Sequence, residues 1–135
     1  MTAVATGPLP EYRIESVSAP AMHQMAVILD DPNQIHLDPD AVRAAGLGDR
    51  VINQGPTNVG YAMDMLRAAF PGARVRRFSA KFLQNVFGGD TVVIRGTVDS
   101  VEDHGDHITA TCTVEVQAEP ARPVLAATAI VDVPA

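Results

Sequence analysis

The sequence predicts an α+β domain in which a curved antiparallel sheet wraps around one long central helix. Three observations carry this. From Pro56 or Thr57 to Phe70, apolar residues recur at helical spacing until Pro71-Gly72 stops them. Four later runs instead alternate apolar and polar residues at period two. And 135 residues, 47% of them hydrophobic, supply one core rather than two.

In chain order, residues 1–10 are expected to form a flexible tail, and residues 11–135 a single domain. The tail has neither the basic start nor the apolar centre of a signal peptide. Tyr12–Ser18 reads as a strand. Ser18 then suits an N-cap with Pro20 in the first helical turn, and Met22, Met25, Ala26 and Leu29 give that helix its apolar face until Pro32 ends it. Asp38 or Pro39 opens a second short helix, which Gly46 closes. In the long helix Val59, Met63, Leu66 and Phe70 share one face, and an interior Gly60 is expected to permit a close backbone approach.

The four alternating runs are Arg76–Val86, Val92–Val101, Ile108–Ala118 and Val124–Val133. Their apolar positions include Phe78, Ala80 and Phe82 in the first and Ala110, Cys112 and Val114 in the third. Turn residues fill the joints: FGGD at Phe87–Asp90, EDHGDH at Glu102–His107 and EPARP at Glu119–Pro123.

A formal net charge of -6 argues against binding to nucleic acid or to an anionic membrane surface. No apolar run approaches the length of a bilayer span. Cys112 is the single cysteine, so no intramolecular disulfide forms, and a cytoplasmic location is expected.

Four polar groups carry possible chemistry. Asp31 and His36 stand five residues apart, where the first helix stops. They fit either a capped turn beside a satisfied histidine, or an acid/base pair that holds a water between carboxylate and imidazole. Gln54-Gly55-Pro56 opens the long helix, where unpaired N–H groups can either begin an ordinary helix or stabilise a developing oxyanion, with Gly55 as the main donor. EDHGDH reads as a solvated turn around Gly105 rather than a metal site. Arg74, Arg76 and Arg77 fit surface positions, or contacts to the phosphates of a coenzyme A or carrier-protein arm. His23 and Cys112 read as packing residues.

Taken in order, Asp31-Pro-Asn33-Gln-Ile-His36, Asp38-Pro39, AAG at Ala44–Gly46, the Gly55 element before the long helix and FLQNVFGGDTV at Phe82–Val92 resemble the MaoC-like dehydratases and (R)-specific enoyl-CoA hydratases. That family carries the pattern S-G-D-x-N-P-x-H. The resemblance spans Ser16 to Pro134 and implies a hot-dog fold. It implies that Asp31 and His36 are the catalytic dyad and that Asn33 supports their geometry. Gly55 would bind the thioester carbonyl through its backbone N–H, with Gln54 helping to position substrate. Pro56, Thr57 and Arg76 become candidates for the acyl pocket or the thioester arm. The chain departs from the pattern at Leu29-Asp30, where Ser-Gly is usual, at Gln34 for Pro, at Gln54 for His, and at Pro56-Thr57 for an apolar pair.

The implied reaction is reversible addition of water to a trans-2-enoyl thioester. It needs no metal and no cofactor beyond the coenzyme A or phosphopantetheine arm of the substrate. A thioesterase on the same fold, and a binding subunit without independent catalysis, are the alternatives. A homodimer is expected, because long strands in a small domain need a covered edge.

Overall fold

The computed structural model describes residues 4–135. The chain runs β1 (Gly7–Pro8), β2 (Tyr12–Ile14), α1 (Ala19–Ile28), a 3-10 turn (Gln34–His36), α2 (Pro39–Ala44), α3 (Gly55–Ala69), β3 (Arg74–Phe82), β4 (Val92–Asp103), β5 (His107–Ala118) and β6 (Arg122–Pro134). All strand pairs are antiparallel, in the order β1-β4-β5-β6-β3, with β2 also pairing with β4. The expected α+β class and the sheet around one long helix are both present.

The sheet's inner face and α3 make the core. Ile94, Val114, Val116, Leu125 and Val131 of the strands are buried in one cluster with Ala62, Met65 and Leu66 of α3. Fully burying a side chain of this size contributes roughly 1.5–3 kcal/mol, so this seam dominates stability. The buried face of α3 is Asn58, Ala62, Met65 and Leu66, while Val59 and Met63 lie only partly buried at its margin. The helix is thus rotated from the expected Val59–Met63 face.

Three expectations are corrected. The tail is not free over its described part, because Gly7 and Pro8 pair with Val98 and Thr97, and Val4 and Leu9 pack on the core; residues 1–3 lie outside the described residues. Gly60 meets no close backbone, since a Cβ there would touch nothing within 4 Å. The close approach falls at Gly96 of β4, where a Cβ would sit 2.7 Å from Met65 Cε. The third concerns β3, an edge strand that ends at Phe82 and leaves Ala80 and Phe82 exposed, so alternation there did not mean burial.

The first strand stops at Ile14 rather than Ser18 because Val17 N–H turns to the Asp90 carbonyl, and Ser18 Oγ caps α1 by accepting from Ala21 N–H at 3.1 Å. Asp38 caps α2 in the same way, through Asp40 N–H at 2.9 Å. Among the described residues no helix is long and apolar enough to cross a membrane.

Candidate active site

The site begins where α1 ends. Asp30 N–H bonds to the Val27 carbonyl at 3.2 Å and Asp31 N–H to the Ala26 carbonyl at 2.9 Å. This is a Schellman cap, and its C′ residue must adopt the left-handed conformation. Asp30 does so, with φ of 50°. Glycine suits that conformation best, which accounts physically for a Gly at this place in the family pattern. The Asp30 side chain is exposed and lines an open groove together with Asp31.

The cap fixes the start of the next turn. Asp31 Oδ1 accepts from Asn33 N–H at 3.1 Å, and Asn33 Oδ1 accepts from Ile35 N–H at 3.2 Å. Asn33 therefore ties the carboxylate to the 3-10 turn that carries His36. Ile52 then grips that turn from both sides, its N–H bonding to the Ile35 carbonyl at 2.9 Å and its carbonyl accepting from His36 Nδ1 at 2.6 Å. A carbonyl only accepts, so Nδ1 keeps its proton. Nε2 is left to exchange a proton, and it faces Asp31 Oδ2 at 3.3 Å. The His36 side chain is 9% exposed and that of Asp31 34%, so one member is sheltered and the other is reached by water.

Two hollows meet at this pair. His36 lines a cavity of about 270 Å³ with Ile52, Asn53, Gly55 and Asn58, closed on the far side by Phe82–Asn85. Asp31 lines a more open groove with Ala26, Val27, Pro32 and Leu37. Gly55 is the first residue of α3, so its N–H belongs to the unpaired first turn, and the residue lines the same cavity as His36.

The structure brings Asp31, Asn33, His36 and Gly55 together and leaves other candidates apart. Gln54 is wholly buried and does not line the cavity; its Nε2 donates to the Met22 carbonyl at 2.8 Å, which ties α3 to α1. Pro56 and Thr57 follow Gly55 round the helix and do not line that cavity either. Arg76 lies six residues up β3 from Phe82, about 20 Å away along an extended strand, in a bulge and paired with Asp132 at 3.6 Å. His23 is exposed on α1 and lines the Asp31 groove instead of packing. His104 and His107 stack at 4.6 Å in the β4–β5 turn. Cys112 is buried in the core, where burial pushes its thiol up to about 11.

Sequence reasoning missed the amides Asn53 and Asn58. Their signal was polarity on the inward side of a helix start, three residues on from Gly55 in the case of Asn58. It also missed the brace behind the cavity wall. Asp90 Oδ2 accepts from Phe87 N–H at 2.9 Å and from Arg122 at 2.7 Å, and Oδ1 from Arg50 at 2.9 Å. Arg122 also donates to the Asn85 carbonyl, and Arg50 to that of Gly88 at 3.0 Å. Both guanidinium groups lie over the Phe87 ring, at 5.1 and 5.2 Å from its centroid. Burial works against the Asp90 charge, but the Phe87 N–H and the two arginines outweigh it and hold the carboxyl below its ordinary range.

A family model described as a MaoC like domain matches residues 6–119. The chain belongs to the MaoC-like dehydratase family. Solved structures place its fold among the hot-dog proteins of that family. An (R)-hydratase from A. caviae involved in PHA biosynthesis superposes with a TM-score of 0.85 at 21% identity, covering 99% of this chain and 100% of that one. R-hydratase PhaJ1 from Pseudomonas aeruginosa gives 0.83 at 18% identity, over 97% of this MaoC-like chain and 83% of its own. The ChsH1-ChsH2 complex from Mycobacterium tuberculosis gives 0.82 at 20% identity, over 98% and 99%. No curated protein sequence matches significantly.

Proposed function

We propose that this MaoC-like protein is a hydratase/dehydratase that adds water reversibly to a trans-2-enoyl thioester, with Asp31 and His36 as its acid/base pair. The observation that carries the reading is the orientation of His36. Its Nδ1 is committed to the Ile52 carbonyl, so Nε2 faces the Asp31 carboxylate, while the residue itself lines the cavity that Gly55 also lines.

Hydration forms a C3–O bond and a C2–H bond and loses the C2=C3 π bond. The dyad orients the water and takes its proton, and one is returned to C2, so no net proton is consumed. Negative charge moves onto the thioester carbonyl oxygen as C3 is attacked, and the Gly55 N–H meets it there. The coenzyme A or phosphopantetheine arm arrives as part of the substrate, and no other cofactor is invoked. A second copy of the chain is proposed as partner, since β3 is an edge strand with Phe82 and Leu83 exposed beside the cavity.

The test is a panel of enoyl-CoA substrates, crotonyl-CoA first, followed by enoyl absorbance and by a thiol reagent together. Loss of absorbance without thiol release supports hydration. Thiol release supports a thioesterase, and inertness of the pure chain supports a binding subunit.

A further inference from the structure

We infer that Asn58 is a second oxyanion donor, its side-chain amide N–H meeting the thioester carbonyl oxygen beside the Gly55 N–H; this rests on the hydratase reading above. Asn58 is 4% exposed, on the inward face of α3. A buried asparagine near a helix start brings two side-chain N–H hydrogens and an acceptor oxygen that need partners. Its Oδ1 has one, accepting from Asn53 Nδ2 at 3.0 Å. Asn53 Nδ2 directs its other hydrogen to the Tyr61 hydroxyl at 2.9 Å. In this arrangement the Asn58 amide is turned so that its oxygen faces Asn53. Its Nδ2 has no partner among the described residues, on a side chain that lines the cavity shared by His36 and Gly55.

The helix places the two donors together. Residues three apart share a face, and Asn58 stands about 4.5 Å along the axis from Gly55. The Gly55 N–H is unpaired because it lies in the first turn, and the Asn58 N–H is unpaired because Asn53 has claimed the other end of its amide. An enolate-like oxygen seated between them would satisfy both, while the neutral carbonyl of the ground state is bound less strongly. Such donors act chiefly on turnover.

The experiment uses acetoacetyl-CoA, which cannot be hydrated but enolises with a distinct absorbance. Wild-type protein is expected to raise the enolate fraction of the bound ligand. Asn58→Asp keeps the acceptor for Asn53 and removes the donor, and Asn58→Leu removes both. Each is expected to lower that fraction about tenfold or more, and to lower kcat on crotonyl-CoA roughly 10²-fold with little change in KM. Thermal melts report folding, so the Asp variant carries the test if the Leu variant unfolds. An unchanged enolate fraction in Asn58→Asp overturns the inference, as does wild-type protein that leaves acetoacetyl-CoA unbound or wholly in the keto form. An equal loss in Tyr61→Phe also overturns it, by assigning the effect to the Asn53 network. Failure of hydration in the wild type, with the enolate effect intact, counts against the hydratase reading alone.

Discussion

The Ile52 carbonyl holds His36 Nδ1 at 2.6 Å, and this backbone contact decides which ring nitrogen faces Asp31. The proton-transfer role proposed for the pair therefore needs both residues but no third side chain. Asp31→Asn and His36→Ala are each expected to lower hydration of crotonyl-CoA by about 10²–10⁴-fold with an unchanged circular dichroism spectrum. Turnover within threefold of wild type in either folded variant would remove the assignment.

Asn33 links the two residues through its backbone N–H and its side chain. Asn33→Ala keeps the bond to Asp31 Oδ1 and loses the cap on the 3-10 turn. It is expected to cost about 1 kcal/mol, as lost caps do, and to lower kcat by loosening His36. Asn33→Ser restores a capping oxygen, so it is expected to recover most of both losses. Equal defects in the two variants would show that capping is not what Asn33 contributes.

Asp30 holds a φ of 50° so that the Schellman cap can form. Asp30→Gly removes the strain of an L residue in that conformation and is expected to stabilise the fold by about 0.5–1 kcal/mol, net of glycine's own entropy. Asp30→Val, branched at Cβ, is expected to destabilise it by about 1–2 kcal/mol. Urea melts of the three proteins check the order, and a Gly variant less stable than wild type contradicts it.

The meeting of Asp31 and His36 was legible because it is local: Asp31, Asn33 and His36 lie within one turn and a short 3-10 segment, where spacing and caps speak directly. The rest of the site depends on chain crossings. Arg50 and Arg122 reach Asp90 across 40 and 32 residues, and no period or turn signal records such a meeting. The β3 alternation does mark a strand, but alternation does not say whether a strand sits at the sheet edge, where Phe82 is exposed. Gln54 occupies the place of a site residue in the pattern, yet its side chain turns under α1 because Met22 offers a carbonyl there.

The glycines show the same limit and give a paired test. Gly60→Ala meets open space within the chain and is expected to stabilise α3 by about 0.5–1 kcal/mol. Gly96→Ala meets Met65 Cε at 2.7 Å and Leu9 Cδ1 at 3.1 Å. The methionine end can shift, so the expected loss is modest, about 1–2 kcal/mol. Thermal melts measure both. A destabilised Gly60→Ala, with loss of dimer on sedimentation, would place the close approach between subunits.

Asp90 joins stability to the shape of the cavity. Its side chain is 9% exposed and receives the Phe87 N–H and two guanidinium groups, one of which also holds the Asn85 carbonyl at the cavity wall. Asp90→Asn is expected to cost about 2–3 kcal/mol at pH 7, because hydrogen bonds to a charge are lost and two arginines keep no anion between them. The folded pKa lies below the unfolded value, so this contribution is fully present above the unfolded pKa of about 3.9. It fades as pH falls through the lowered folded pKa. Urea melts of wild type and Asp90→Asn should therefore differ most at neutral pH and converge in strong acid. The variant should also raise KM more than it lowers kcat, since Leu83–Asn85 line the cavity without touching the dyad. A stability gap that persists unchanged down to pH 2 would show that the charge of Asp90 is not what braces the wall.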